Sequence, residues 1–270
     1  MTVRQQRLVR FLALLAFATL PAVTLLARPQ AFVDPGLISS DSVTFRTAKN
    51  LTGHDVIQRM IERNRTRDQQ LLGYSVLRTY EVRAPDGRVS ARDVIRVDYR
   101  APGTFEFHKI SEHGSWMIRR LVFDRLLQSE QETAAGLARL QAAISEENYL
   151  FSIIGEATLG SDHCYVLKAQ PKRPDKYLFD GELWITAGDY AIAKMSGRPA
   201  KALSFWIDDA NFVREYQRVD GFWLPIRDQT VVEGKVNEKR VLRVEHQHYV
   251  INAAHGNSAE EVRLLVSGRN

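Results

Sequence analysis

The chain has almost no cysteine. Cys164 is the single one in 270 residues, so no internal disulfide can form and the fold must rest on its core. Flanked by His163, Tyr165 and Val166, it reads as a buried, inert strand residue and not as a catalytic thiol. The usual catalytic signatures are missing as well. No glycine-rich phosphate loop, nucleophile elbow or HExxH helix occurs. Nothing assembles a nucleophile with a base and an orienting group. The expectation is a protein with no enzymatic activity and no cofactor. Internal repeats and low-complexity blocks are also missing.

Acidic residues are absent from residues 1–27, where Arg4, Arg7 and Arg10 precede an apolar run from Phe11 to Ala27. A basic start and a short apolar core mark an export segment, because the cations stay cytoplasmic while the apolar stretch enters the translocon. The run is short of the roughly 20 apolar residues of a comfortable membrane span, and Pro21 interrupts it. Two fates stay open. Ala16 and Ala18 suit cleavage but lie inside the run, and Leu25 is bulky where a site before Arg28 wants a small residue, so a retained N-terminal anchor is the alternative. The same arginines explain an otherwise suggestive isoelectric point of about 9.3. The chain carries +5, and without the three charges of residues 1–27 it carries +2. That balance supports no nucleic-acid partner, and export argues against one.

What remains reads as one domain. We assign residues 1–31 to a signal peptide or membrane anchor, 32–50 to a turn-rich linker, 51–252 to the folded unit and 253–270 to a polar tail. Thr52 and Asp55 open an amphipathic helix with Val56, Ile57, Met60 and Ile61 on one side. From Gly73 the period changes to two. Tyr74–Arg83 and Arg88–Arg100 flank the turn Ala84-Pro85-Asp86-Gly87, and Ala101-Pro102-Gly103 leads into a third strand from Thr104. A short strand is expected around Trp116–Ile118. Helix is expected from Arg119 to about Ile144, broken near Gly136. Strands then dominate to Ile251, including a separate one over Ala202–Ile207. The order predicts an α+β fold of about 11 antiparallel strands, which must curl into an unclosed half-barrel. Its helices would plug the concave apolar face.

Three local patterns bear on function. Leu183-Trp184-Ile185, Phe205-Trp206-Ile207 and Phe222-Trp223-Leu224 place large apolar residues consecutively, where a half-exposed sheet would alternate. Either both faces are covered by a thick core, or one face lines an apolar cavity. The candidate lining residues are Val56, Met60, Leu126, Trp184, Phe205, Trp206 and Trp223. Lys168, Lys172, Arg173 and Lys176, with Pro171 and Pro174, form the densest basic loop; it is a candidate contact for a membrane or partner, with a solvated loop as the alternative. His246 and His248 lie two apart on one predicted strand, a metal-binding spacing, but with no third ligand evident no metal site is expected.

A longer succession carries a family resemblance. Tyr177-Leu178-Phe179-Asp180-Gly181-Glu182-Leu183-Trp184-Ile185 is followed by Asp189-Tyr190-Ala191-Ile192, Gly197-Arg198-Pro199-Ala200-Lys201, Ser204-Phe205-Trp206 and Gly221-Phe222-Trp223-Leu224-Pro225. This resembles the outer-membrane lipoprotein-sorting family, the LolA/LolB-like periplasmic carriers, over roughly residues 50–251. The resemblance implies an unclosed barrel with helices over an apolar cavity, no catalytic residues, a periplasmic location and a cargo of lipid or lipoprotein acyl chains. An inner- or outer-membrane partner protein and a monomeric state are further expectations. A lipid-sensing or envelope-stress scaffold on the same fold is the alternative function.

Overall fold

The computed structural model describes residues 51–134, 136–201, 207–234 and 238–252. The predicted export segment, linker and tail lie outside them, as do Phe205 and Trp206. The described residues build ten strands: β1 (Gly73–Arg83), β2 (Val89–Arg100), β3 (Thr104–Gly114), β4 (Tyr149–Leu159), β5 (Asp162–Pro171), β6 (Phe179–Thr186), β7 (Ile192–Pro199), β8 (Ile207–Val219), β9 (Phe222–Gly234) and β10 (Glu238–Ile251). They form one antiparallel sheet in the order β3-β2-β1-β10-β9-β8-β7-β6-β5-β4. Strands adjacent in sequence pair throughout, with one exception. β3 and β4 are consecutive in the chain yet sit at opposite edges, because β10 returns to pair with β1. The sheet is therefore a meander left open at one seam. Ten strands, not about eleven, are present among the described residues.

The connection from β3 to β4 has to cross from edge to edge, and it carries most of the helix. It holds a helical arm and a short helix. The arm comprises α2 (Trp116–Ile118), a π-helical turn (Arg119–Phe123) and α3 (Asp124–Thr133); the short helix is α4 (Gly136–Ala142). The strand expected at Trp116–Ile118 is thus the first turn of the arm. The Ser115 hydroxyl accepts from the Ile118 N–H and caps it, which overrides the strand preference of the local residues. Gly136 does break the helix as expected, at φ 66°, in open space.

The other helix, α1 (Gly53–Asp68), starts on a complete capping box. Thr52 Oγ1 accepts from Asp55 N–H at 3.2 Å, and Asp55 Oδ2 accepts from Thr52 N–H at 2.8 Å. Such a cap stabilises a helix by about 1 kcal/mol. Val56, Ile57 and Met60 are buried on its inner side. Each contributes about 1.5–3 kcal/mol on leaving water.

Both helical elements lie on one face of the sheet. Directly paired residues run across it as Tyr80, Val244, Asp228, Arg214, Met195, Leu183, Leu167 and Ile153. Phe123 of the arm meets Tyr80 at one end of this row, with ring centroids 5.6 Å apart. At the other end Arg59 of α1 donates to Tyr190, whose ring stacks on Tyr165, a residue on the same face as Leu167. Two apolar clusters result. One joins α1 to β4–β9, and the other joins the arm to β1–β3 and β10, with Ala210 and Val232 from the strands between.

Candidate functional site

Between the two clusters the helix-bearing face turns polar. Arg78 on β1 stands directly opposite His246 on β10, and Asp228 on β9 stands opposite Arg214 on β8. Each occupies a position that the alternation assigns to the core: Arg78 between Val76 and Tyr80, Arg214 between Phe212 and Tyr216, His246 two residues after Val244. A buried charge must be paired to be tolerated, and these are. Arg214 Nε donates to Asp228 Oδ1, and His246 Nε2 lies 2.9 Å from Asp228 Oδ2. The arm supplies the remaining anion. Glu130 on α3 receives Arg78 Nη1 at 2.6 Å and Nη2 at 3.0 Å, a bidentate fork with both side chains almost wholly buried.

Tyrosines extend the row. The Tyr249 hydroxyl donates to the Pro225 carbonyl at 2.7 Å and lies 3.3 Å from His246 Nδ1. Tyr216 donates to Met195 Sδ at 3.2 Å. Burial alone would raise the Asp228 carboxyl. The Arg214 charge and the His246 hydrogen bond outweigh it and hold the group at about 2. Burial lowers His246, and the Arg78 and Arg214 charges add to that effect while Asp228 opposes it. With a neutral ring donating from Nε2, the row is two closed ion pairs and a neutral imidazole. His246 and Asp228 have the relation of a base and its orienting carboxylate, but the second ring nitrogen faces a phenol already tied to a carbonyl. Among the described residues, no group of three or more His, Cys, Asp or Glu could hold a metal ion. His246 and His248 do not share a face. His248 has φ 54° in a bulge where Gln247 pairs with Leu77 but Val250 pairs with Ser75, so the two-residue period is lost and His248 is exposed.

The residues singled out from sequence fall in several places. Val56, Met60 and Trp223 come together in the α1 cluster, and Leu126 joins the arm cluster. Trp223 Nε1 donates to Asp189 Oδ2 at 3.0 Å, and the Asp189 carbonyl accepts from Arg67, so the β6–β7 turn ties α1 to the sheet. Trp184 pairs with Val166 and Lys194, on the face opposite Leu183. It is nearly buried there, with the Lys194 ammonium 4.7 Å above its ring. Leu183-Trp184-Ile185 is therefore consecutive because both faces of β6 are buried.

The basic loop is bonded into the fold. Lys168 pairs with Asp180 at 2.6 Å, and Lys172 donates to the Glu146 carbonyl. Arg173 donates to Asn148 Oδ1 at 2.8 Å and to the Gln141 carbonyl at 3.2 Å, and Lys176 lies 4.4 Å over the Tyr177 ring. The contacts of Lys172 and Arg173 tie α4 and the segment after it to the β5–β6 loop. The sequence signal missed was the polar row itself: a charge at the inward position of an alternating strand, repeated on three strands.

No family model matches the chain, and no curated relative matches it. Solved structures similar to it include a DUF1329 family protein from Desulfovibrio piger, at 11% identity and TM-score 0.41, covering 76% of this chain and 95% of that one. A putative outer membrane lipoprotein-sorting protein domain from Vibrio parahaemolyticus is similar at 10% identity and TM-score 0.39, covering 79% and 97%. At TM-scores below 0.5 these likenesses do not carry the functional reading. A LolA superfamily protein from Nitrosomonas europaea is similar at 8% identity and TM-score 0.35, covering 76% of this chain and 95% of that one.

Proposed function

We propose that the protein is a non-enzymatic binder of lipid or lipoprotein acyl chains in the bacterial envelope, exported by its N-terminal segment. The observation that carries this reading is the arrangement of the helices. α1 and the arm lie on one face of an unclosed sheet, each through an apolar inner side, and neither takes part in a strand ladder. Either can lift while every strand pair stays intact. Lifting exposes Val56, Met60 and Trp223 on one side of the polar row and Leu126 on the other, and these are the candidate contacts for the chains. An acyl chain replaces the lost helix contacts at about 0.8 kcal/mol per buried methylene, enough for a long chain to offset leaving a bilayer. The partners that fit are a donor or acceptor membrane and a protein anchored in it.

Mass spectrometry of solvent extracts from the purified protein tests the proposal, together with titration of a neutral fluorescent acylglycerol. Stoichiometric lipid in the extract and saturable probe binding are expected. Lipid-free preparations that also reject the probe would sink it.

A further inference from the structure

Resting on the acyl-chain reading, we infer that Arg78 is the docking point for an anionic head group, and that Glu130 occupies its place while the arm is closed. The pair is asymmetric in a way that matters. Arg78 is fixed on a central strand of the sheet, whereas Glu130 rides on the arm. Everything else on the inner side of the arm near it is apolar or neutral: Val122, Phe123, Leu126 and Leu127 are buried against the strands, with Ser129 and Thr133 beside Glu130. A buried ion pair adds little to stability over an apolar pair of the same volume, so stability alone does not account for it.

The geometry of the fork points to the ligand. Glu130 presents two coplanar oxygens to Nη1 and Nη2, which is how a guanidinium also receives a phosphate or a second carboxylate. The third donor, Nε, is buried with no hydrogen-bond partner among the described residues. A phosphodiester head group, with ester oxygens beside its two anionic ones, offers Nε an acceptor that the two-oxygen side-chain carboxylate lacks. The Tyr80 hydroxyl, 3.4 Å from Nη1, lines the same spot.

The rest of the row explains why Arg78 is selected. Arg214 is neutralised by Asp228, and both belong to the sheet, so movement of the arm leaves that pair closed. Arg78 alone of the row's two arginines loses its counter-charge when the arm lifts. The arm has the means to move. It contains a π-helical turn at Arg119–Phe123, and Gly136 follows it at φ 66° with no atom near the position of a side chain. An amphiphile bearing a phosphate would then pair with Arg78 while its chains take the apolar surfaces that the helices leave.

Isothermal titration of the purified protein with dihexanoyl phosphatidylglycerol, dihexanoyl phosphatidylcholine and glycerol 3-phosphate tests this. The variants are Glu130→Gln, which frees Arg78, and Arg78→Met with Glu130→Gln, which removes both charges and avoids leaving one buried alone. Glu130→Gln is expected to bind the phosphatidylglycerol about tenfold more tightly than wild type, and the double variant about tenfold more weakly, with the phosphatidylcholine changed less than twofold. Equal strengthening for glycerol 3-phosphate assigns the site to a free phosphate and overturns the head-group assignment. Unchanged or weaker phosphatidylglycerol binding by a folded Glu130→Gln protein also overturns it. The neutral acylglycerol probe keeps the two readings apart: if it binds all three proteins alike while the charge variants show no preference, the acyl-chain reading stands and the head-group inference fails.

Discussion

His246 Nε2 lies 2.9 Å from Asp228 Oδ2, a contact between side chains 18 residues apart that closes a buried charge row across β8, β9 and β10. Both groups have folded-state pKa values below their ordinary ones. The unfolded chain therefore binds more protons than the folded one, and stability falls as pH falls. For His246 the loss begins below about pH 6.5, the ordinary imidazole value. For Asp228 it lies between about pH 4 and the folded value near 2. Replacing His246 with Gln should flatten the first part of the wild-type pH profile in urea unfolding. An unchanged slope between pH 7 and 5 would show that the ring is not held neutral.

Removing Asp228 has a different consequence. Asp228→Asn removes the carboxylate that pairs with buried Arg214, a change that typically destabilises by about 3–5 kcal/mol. The loss is expected at every pH above 4. A variant that unfolds at wild-type urea concentrations would mean that water reaches Arg214.

Asp93 behaves in the opposite sense. It is fully buried on β2, neither oxygen has a hydrogen-bond partner among the described residues, and Arg119 Nε is 3.9 Å away. Burial pushes its carboxyl to about 6, against the Arg119 and Lys109 charges and with the help of Glu112 and Asp124. Here the folded state binds the extra proton, so the stability it contributes is present below about pH 4 and lost as pH rises through 6. Asp93→Asn should stabilise the protein by about 1–3 kcal/mol at pH 8, with the gain disappearing by pH 4. Denaturant melts at the two pH values measure it, and equal gains at both would exclude titration as the cause.

Gly181 and Gly197 face each other across β6 and β7, and a Cβ on Gly181 would overlap the Ser196 carbonyl oxygen. Gly181→Ala should cost about 1–3 kcal/mol, because backbone and not a movable side chain blocks the space. Gly188→Ala, in open space, serves as the neutral comparison. Similar melting temperatures for the two variants would show that the strands part freely.

Cys164 is buried, and burial pushes its thiol to about 12. A thiol held protonated is a poor nucleophile. Ellman's reagent should leave the native protein unlabelled for hours and react with one equivalent on unfolding. Rapid labelling of folded protein would contradict the burial of β5.

Short-range features were legible in the sequence. The Thr52–Asp55 box, the Ala84–Gly87 turn and the break at Gly136 depend on residues within a few positions of each other, where local preference decides. Trp116–Ile118 was misread because the Ile118 N–H donates to the Ser115 hydroxyl and the chain enters helix there. The facing of Trp184 was open, since an apolar residue among apolar neighbours has no period. The bonding of the basic loop was not legible, because its partners, Asn148, Glu146 and the Gln141 carbonyl, belong to the segment that precedes β4.

By itself the sequence determined most of the order of strands and helices, because each such element is a property of neighbouring residues. Only the tertiary structure decided that β10 pairs with β1 and leaves the seam between β3 and β4. That pairing brings residues about 170 positions apart into register, and no local pattern encodes it. It also places Arg78 under Glu130 and Asp228 between Arg214 and His246. Charges at inward positions of single strands become neutral pairs once the sheet sets them side by side.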